Sequence, residues 1–466
     1  MRLESIKDHG ISHMSYYLSD GGEAVVIDPR RDVEVYIDLA KEDCAKIEYI
    51  LETHRNEDYV IGSLELKEIT EAKICHSMDL KFGYGDQSLK GNELINIGRL
   101  RIMTIATPGH TFESFCYAVV DTRLNQEPIM VFTGDTLFSG DVGRTDLMGP
   151  ENWSKLSGLL FDSIHEKLLP LGDQVMVYPA HTAGSICGNR ISDRDVTSIG
   201  IERLTNPLVG LSREVFIKTM LENQMLRPPY FSRMEEWNLN GPPLLRNATK
   251  PKQIQVQDFD AIWKQPDVII IDTRNPDAFA ASHIPGSLNI WLEGSSYYPG
   301  WVVGYDKRII LVLERKEDAE KAITYLNRIG FVDIIGYLCP GIDAWRNKGN
   351  LTESSGVLTA PELKNLLSRN AVTIIDVRDA EEYGFGHIPG AINFYVGQIS
   401  ENVGKISSEK PVVLTCSWGG RGSLAASILK HRGFKDVFNL LGGMNSWKSL
   451  SYTLESSKPR MLNPSV

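Results

Sequence analysis

The second half of the sequence repeats itself, and this repeat constrains the fold more than any other feature. Ile-Asp-Thr-Arg at 271–274 and His-Ile-Pro-Gly at 283–286 recur as Ile-Asp-Val-Arg at 375–378 and His-Ile-Pro-Gly at 387–390. Later segments keep the same offset of about 100 residues. Such a repeat predicts two α/β domains, each a parallel sheet flanked by helices.

A cysteine loop follows the apolar run 411–414 in the second copy of the repeat. It reads Thr-Cys-Ser-Trp-Gly-Gly-Arg-Gly-Ser over 415–423 and leads into a helical segment. A strand end that turns through two glycines into a helix aims several backbone N–H groups at one point, which suits an anion. The helix N-terminus and Arg421 both favour a thiolate at Cys416, so we expect a nucleophile there. The alternative is a structural cysteine buried before a tight turn.

The first copy of the repeat lacks this chemistry. When the copies are aligned without gaps, Cys416 falls opposite Leu313 and Arg421 falls opposite Asp318. A leucine carries no sulfur, and the acids near it repel anions. We therefore expect a catalytically silent middle domain, with Cys339 structural and away from the loop.

The cysteine loop resembles the active loop of the rhodanese family, Cys-x-x-Gly-x-Arg. Four residues separate Cys416 from Arg421, as in the short loop of sulfurtransferases, whereas related phosphatases have a longer loop. The resemblance implies that Cys416 and Arg421 are catalytic and that sulfite or thiosulfate takes part in sulfur transfer. The residues that it implies bind substrate are Ser417, Trp418, Gly419 and Gly420.

Four motifs in the first half of the chain place a histidine or an aspartate just after an apolar, strand-like run. They contain His54, His110, Asp135 and His181. These side chains could converge on one rim of a sheet sandwich, and convergent histidines and carboxylates are metal ligands by default.

The order and spacing of these motifs resemble the metallo-β-lactamase fold, which implies an αββα sandwich. Dinuclear zinc hydrolases of this fold carry His-x-His-x-Asp-His, but here Asn56 and Tyr59 replace the second and last histidines. The remaining set, His54, His110 and Asp135, is that of a mononuclear non-haem Fe(II) site with open positions. In this fold the set resembles the persulfide dioxygenases, which implies one Fe(II), with Zn as the alternative metal, and O2 as co-substrate.

The same resemblance suggests roles for further residues. We expect Asn56, Asp58 and Tyr59 behind the ligands, and His181 either to orient substrate or to bind metal. Gly-Arg-Thr-Asp at 143–146 implies that Arg144 grips a carboxylate or phosphate of the thiol carrier. Gly-Ser-Ile-Cys-Gly at 184–188 is similar to a segment of dioxygenases fused to rhodaneses. Cys187 is then either a catalytic sulfur carrier or a small buried apolar residue.

Composition excludes other classes of partner. The 466 residues carry 49 Lys and Arg against 60 Asp and Glu, and the net charge of −11 argues against nucleic acid and anionic membranes. The sequence shows no apolar signal region and no apolar run of membrane-spanning length. Six cysteines without paired spacing suit a reducing compartment, so we expect a cytoplasmic protein. The oligomeric state stays open, and the resemblance allows a homo-oligomer.

These features predict an α/β multidomain chain, an αββα sandwich followed by two rhodanese domains with parallel sheets. The expected domains are a metallo-β-lactamase-fold, persulfide dioxygenase-like domain over 1–226, a Pro-rich linker over 227–250, an inactive rhodanese-homology domain over 251–352, an active rhodanese domain over 353–456 and a tail over 457–466.

The fusion implies oxidation of a low-molecular-weight thiol persulfide to sulfite, together with sulfane-sulfur transfer through Cys416 that forms thiosulfate, as in sulfide detoxification. The carrier thiol and the direction of the transfer are left open. One alternative is a glyoxalase II-like zinc thioester hydrolase fused to a sulfurtransferase, which needs the ligands missing at Asn56 and Tyr59. Another is a sulfurtransferase whose N-terminal domain is not catalytic, an interpretation that Asn56 also allows.

Overall fold

The computed structural model describes residues 1–124 and 126–457, and its contacts divide the chain into two compact units. One unit contains Met1–Asn247 and Asn327–Gly330. The other contains Ala248–Leu326 and the residues from Phe331 onward. Most of the segment expected as a linker therefore belongs to the first unit. The expected tail lies outside the described residues except for Ser457.

The described part of the first unit contains twelve strands in two mixed six-stranded sheets. They are β1 (Arg2–Asp8), β2 (His13–Asp20), β3 (Glu23–Ile27), β4 (Lys46–Leu51), β5 (Lys73–Ser77), β6 (Gln87–Leu89), β7 (Leu94–Ile97), β8 (Leu100–Ala106), β9 (Phe115–Asp121), β10 (Met130–Gly134), β11 (Met176–Pro179) and β12 (Thr197–Ser198). In the first sheet β1, β2 and β3 pair antiparallel, and β3 to β6 pair parallel. The second sheet has the order β12-β11-β10-β9-β8-β7, and β10 with β11 is its parallel pair.

The described part of this unit contains six α-helices, and the first five pack on the outer faces of the sheets. They are α1 (Glu34–Glu42), α2 (Ser63–Thr70), α3 (Trp153–Asp162), α4 (Ile199–Thr205), α5 (Arg213–Glu222) and α6 (Phe231–Asn240). A π-helical turn over Ser163–Leu168 extends α3, and 3₁₀ turns cover Leu169–Leu171 and Leu245–Asn247.

Alternating strand residues build three cores in this unit, because successive side chains of a strand point to opposite faces. On β2, Tyr16 and Leu18 face the other sheet and join the core between the sheets. Tyr17, between them, packs in the core that contains Tyr36 of α1. The outer face of the second sheet is covered in the same way by α3, α4 and α5. The layers are thus helix, sheet, sheet, helix, and the predicted αββα sandwich is confirmed.

The described part of the second unit contains two parallel five-stranded sheets. The strands are β13 (Lys252–Gln255), β14 (Val268–Asp272), β15 (Leu288–Asn289), β16 (Arg308–Val312), β17 (Ile334–Cys339), β18 (Gly356–Leu358), β19 (Thr373–Asp376), β20 (Ile392–Asn393), β21 (Val412–Thr415) and β22 (Val437–Leu440). The orders β13-β17-β16-β14-β15 and β18-β22-β21-β19-β20 correspond strand for strand. The sequence repeat is therefore a repeat of topology, as predicted.

Helices flank both of these sheets. They are α7 (Val256–Ile262), α8 (Pro276–Ala281), α9 (Pro299–Val302), α10 (Ala319–Arg328), α11 (Ile342–Asn347), α12 (Ala360–Ser368), α13 (Ala380–Phe385), α14 (Ile399–Asn402), α15 (Gly420–His431) and α16 (Gly443–Ser449), and the last two residues of α10 fall within the first unit. 3₁₀ turns cover Glu293–Ser296, Lys316–Asp318, Val396–Gln398 and Val403–Lys405. Within the described ranges, none of the helices is both long and apolar enough to cross a membrane.

The repeated Asp-x-Arg motif closes the same turn in both copies. Arg378 donates two hydrogen bonds to the buried Asp376 carboxylate and one, of 2.8 Å, to the Gly386 carbonyl. Arg274 does the same with Asp272 and the Ser282 carbonyl. Both pairs brace the end of a strand and lie in the framework rather than in the cysteine loop.

Removing one partner of such a pair leaves a buried charge unpaired. Arg378→Ala should lower the free energy of unfolding by about 3–5 kcal/mol, because Asp376 would lose its counter-ion and stay buried. Chemical denaturation measures this loss, and Arg369→Ala, at an exposed arginine of the same domain, is the matched control. Equal stability of the two variants would contradict a structural role for the pair.

Candidate functional site

Four strand ends bring the predicted ligands together. His54 follows β4 of the first sheet, whereas His110, Asp135 and His181 follow β8, β10 and β11 of the second. Gly134 ends β10 with a φ of +53°, and a Cβ there would lie 2.7 Å from the Thr53 side chain. Glycine thus allows the rims of the two sheets to approach closely, and all four ligand candidates are buried there.

One cluster of donor atoms contains His54, Glu57, His110 and Asp135, with the atoms all within 4.8 Å of one another. Asp135 Oδ2 lies 3.4 Å from His110 Nε2 and 3.9 Å from His54 Nε2. Among the described residues, these three buried atoms have no hydrogen-bond partner of good geometry, although Glu57 Oε1 lies 3.0 Å from His110 Nε2. Buried polar atoms without partners are costly, so the donor set fits a metal ion at their centre.

Both imidazoles are oriented by the nitrogen that points away from the cluster. His110 Nδ1 donates to the Arg144 carbonyl over 2.8 Å. Thr53 Oγ1 donates to Asp28 and therefore accepts from His54 Nδ1 over 2.9 Å. This leaves each Nε2 directed at the cluster, the arrangement that metal-binding histidines show.

The charges in the cluster depend on one another. Burial lowers the pKa of His54 to about 4, so this imidazole is neutral. Burial also opposes a charge on His110, but the Glu57 and Asp135 carboxylates raise its pKa to about 9. Despite its burial, the three neighbouring histidines hold the pKa of Asp135 below its usual range, His181 most strongly. A bound cation would supply the positive charge that the His110 proton now provides.

A second group of donor atoms contains Asp58, His181 and Cys187, also within 4.8 Å of one another. His181 joins the two groups, since its Nδ1 donates to Asp135 Oδ1 over 2.7 Å and its Nε2 lies 2.9 Å from Asp58. Cys187 is fully buried with its Sγ 3.6 Å from Glu57 Oε1. Burial, reinforced by Asp58, raises the pKa of the Cys187 thiol well above its usual range. Without a cation this residue is a thiol rather than a thiolate.

Asn56 and Tyr59 lie outside both groups. Asn56 Nδ2 donates to the His54 carbonyl over 3.3 Å, and the Tyr59 ring packs on His13 with centroids 4.0 Å apart. Arg144 is buried and donates to Asp146, over 2.6 Å from Nε, and to the carbonyls of the 225–226 segment. That Arg144 binds a carboxylate or phosphate of the thiol carrier stays a prediction. Its backbone oxygen is the atom that orients His110.

The cysteine loop forms a second site in the other unit. Cys416 follows β21 and is buried, and its Sγ accepts a hydrogen bond of 3.1 Å from the Gly419 amide. Gly419 has a φ of +123° and precedes α15, so the loop turns directly into the helix. The Arg421 guanidinium binds both oxygens of Glu382 and donates to Ser417 Oγ over 2.7 Å. Burial opposes the charge on Glu382, but Arg421 holds its pKa at about 2.

In the middle domain the corresponding position is occupied by Leu313, which is buried after β16. Asp318 there accepts from Arg315 rather than facing a nucleophile. Cys339 lies at the end of β17, where its Sγ contacts Gln253. The middle domain therefore keeps the scaffold without the reactive sulfur.

Both halves of the chain resemble known proteins. Residues 10–182 match the metallo-beta-lactamase superfamily, and residues 255–348 and 359–450 each match the rhodanese-like domain. Persulfide dioxygenase ETHE1 of Mus musculus is 32% identical over 230 residues, which cover 46% of this chain and 78% of that protein. The Bos taurus enzyme is 30% identical over 223 residues, with the same coverage. The chain belongs to the persulfide dioxygenase family.

The rhodanese domains make it a fusion member of that family, as the sequence predicted. A solved metallo-beta-lactamase structure from Staphylococcus aureus is 28% identical with a TM-score of 0.65. It covers 72% of this chain and 98% of its own length. The similarity therefore extends beyond the N-terminal unit.

Three polar residues of this persulfide dioxygenase-family chain were not predicted from the sequence. Glu57 joins the first donor group, and its position inside the motif that starts at His54 was an available signal. Glu382 lies on α13 and binds Arg421. The only sequence signal for this role was its position in the acidic first turn of that helix. Asn238 lies on α6, inside the segment expected as a linker, where the sequence carries no signal for a site.

Asn238 fixes the loop that carries the first donor group. Its Nδ2 donates to the carbonyls of Asn56 and Tyr59, each over 2.7 Å, and its Oδ1 accepts from the Ile61 amide over 3.0 Å. The side chain is buried, so these three backbone groups depend on it. Helix α6 therefore supports the loop of the candidate metal site.

Asn238→Ala should lower metal affinity about tenfold, because three buried backbone groups lose their partner and the 54–59 loop loosens. Chelator competition measures the affinity. Asn240→Ala, at the exposed end of the same helix, is the matched control and should leave it unchanged. An Asn238→Ala protein that binds metal like the control would contradict this role.

Proposed function

We propose that the chain oxidises a low-molecular-weight thiol persulfide to sulfite in its N-terminal domain, 1–226, and transfers sulfane sulfur through Cys416 in its last domain, 353–456. The observation that carries the proposal is the buried donor cluster of His54, His110 and Asp135, whose facing atoms have no hydrogen-bond partner of good geometry among the described residues. It is supported by membership of the persulfide dioxygenase family and by the rhodanese matches in the same chain.

His54, His110 and Asp135 would hold one Fe(II), with Glu57 close enough to add a second carboxylate. Bound iron would supply positions for the persulfide sulfur and O2 and the electron transfer that their reaction requires. His181 holds Asp135 in place through its 2.7 Å hydrogen bond. Burial of all these side chains excludes bulk water from the reacting atoms.

The two reactions use the same sulfur compounds. Oxidation consumes a persulfide, O2 and water, and yields sulfite and the free thiol. In the transfer, Cys416 takes the outer sulfur of a second persulfide and passes it to sulfite, which becomes thiosulfate. The Gly419 N–H that points at Sγ stabilises negative charge on Cys416, and the start of α15 contributes to the same effect.

Single substitutions should separate the two activities. His110→Ala should abolish O2 uptake with glutathione persulfide, because the cluster loses a ligand, and should leave thiosulfate:cyanide sulfur transfer intact. Cys416→Ser should have the reverse effect, with Cys339→Ser as the control for a cysteine outside the loop. An oxygen electrode and a thiocyanate assay measure the two activities. Loss of both activities in either variant would contradict separate sites.

A zinc-dependent thioester hydrolase is the second candidate, and the Asp58, His181 and Cys187 group favours it because hydrolases of this fold use two metal ions. The first proposal predicts one iron per chain after anaerobic purification, with O2 uptake on persulfide addition. The hydrolase predicts two zinc ions per chain and cleavage of S-lactoylglutathione. Metal analysis with both activity assays decides between them, and Cys187→Ala should lower the metal count only in the second case.

A further inference from the structure

An aromatic cluster of the middle domain contacts the cysteine loop. Trp291, which follows β15, lies edge-on to Trp418 of the loop with ring centroids 5.3 Å apart. It also packs against Tyr298 at 5.1 Å. The Trp291 ring reaches the loop backbone, because a Cβ at Gly420 would lie 2.9 Å from it. The domain without a cysteine in its loop therefore borders the site of the domain that has one.

Buried hydrogen bonds fix this arrangement. Ser423, on the first turn of α15, donates to Asn289 Oδ1 over 2.6 Å, and the Asn289 backbone N–H donates to Ser427 Oγ over 3.2 Å. All three residues are buried. Asn289 immediately precedes the Trp291 segment, and α15 begins at the cysteine loop. The aromatic rings thus keep a defined position relative to Cys416.

The charge of the loop points to the kind of donor that this site accepts. Arg421 is the only basic residue over 415–423, and both of its terminal nitrogens bind Glu382. For a small inorganic dianion such as thiosulfate, the positive charge of Arg421 is already neutralised by Glu382. Trp418, in contrast, is 43% exposed and offers apolar surface beside the nucleophile. The site therefore offers the organic group of a donor apolar contacts that a small inorganic dianion cannot use.

We propose that Trp291 and Tyr298 of the middle domain, together with Trp418, form a subsite for the organic part of a thiol persulfide, the sulfur donor of Cys416. This rests on the sulfur-transfer half of the proposed function and names its donor class. In the transfer, Cys416 Sγ attacks the outer sulfur of the donor, and the donor's S–S bond breaks. The departing thiolate takes up the proton that the Cys416 thiol releases, so no external oxidant or reductant is required.

The subsite gives the middle domain a function despite the leucine in its loop. Its rings contact the carbon atoms next to the donor sulfur, and thiosulfate has no such atoms. The subsite thus raises affinity for organic persulfides without changing the reactivity of Cys416. The subsite should therefore lower KM for organic persulfides. It should not change kcat for either organic persulfides or thiosulfate.

The test compares Trp291→Ala with Trp263→Ala, a half-buried tryptophan of the same domain that packs on Trp345. Sulfur transfer to cyanide is measured with glutathione persulfide and with thiosulfate as donors. We expect Trp291→Ala to raise KM for glutathione persulfide about tenfold with kcat nearly unchanged. KM for thiosulfate should stay the same, and Trp291→Phe should restore most of the loss. Trp263→Ala should behave like the wild type with both donors.

A second variant and a binding assay keep the test independent of folding and turnover. Trp418→Ala removes a ring that is 43% exposed, and it should show the same donor-selective rise in KM. S-methylglutathione, which cannot react, should bind the Trp291→Ala protein about tenfold more weakly in calorimetry. Equal KM changes for both donors, or identical results for Trp291→Ala and Trp263→Ala, would overturn the subsite. Absence of sulfur transfer in the wild type, or transfer that survives Cys416→Ser, would instead refute the proposed function.

Discussion

The N-terminal unit depends on the buried carboxylate of Asp135. One of its oxygens accepts from His181, and the other faces His54 and His110. A carboxylate removed from water requires nearby positive charge and hydrogen-bond donors, and these partners come from the rims of both sheets. The sheets must therefore meet with their strand ends in register. Gly134, which lets β10 approach Thr53, is part of the same requirement.

The second unit shows how one scaffold supports two roles. Both copies use the same strand order, and each closes the turn after its second strand with an Asp-Arg pair. They differ in the loop after the fourth strand, where one copy has Cys416 and the other has Leu313. Framework and chemistry are thus separate, because the strand order and the Asp-Arg pair occur in both copies whereas the cysteine occurs in one. A copy without a cysteine in this loop keeps the same fold.

Motifs that follow strands could be recognised in the sequence because strand ends in a sheet sandwich can meet at a common rim. His54, His110, Asp135 and His181 could be expected together on this ground, and the structure brings them into two adjoining donor groups. The helix inside the Pro-rich segment was not foreseen. Asn238 contacts a loop about 180 residues away in sequence, and local sequence patterns do not predict contacts over such a separation.

The sequence by itself determined the fold class, the duplicated rhodanese architecture and the positions of the candidate nucleophile Cys416 and the candidate ligand motifs. These depend on short-range order, since apolar periodicity sets the strands and motif spacing places the reactive residues at the strand ends. Only the tertiary structure decided that Glu57 enters the donor cluster, that Glu382 neutralises Arg421 and that Trp291 of the silent domain borders the Cys416 loop. Each of these contacts joins side chains from different parts of the fold. The distance between those parts is set by tertiary packing and not by local sequence.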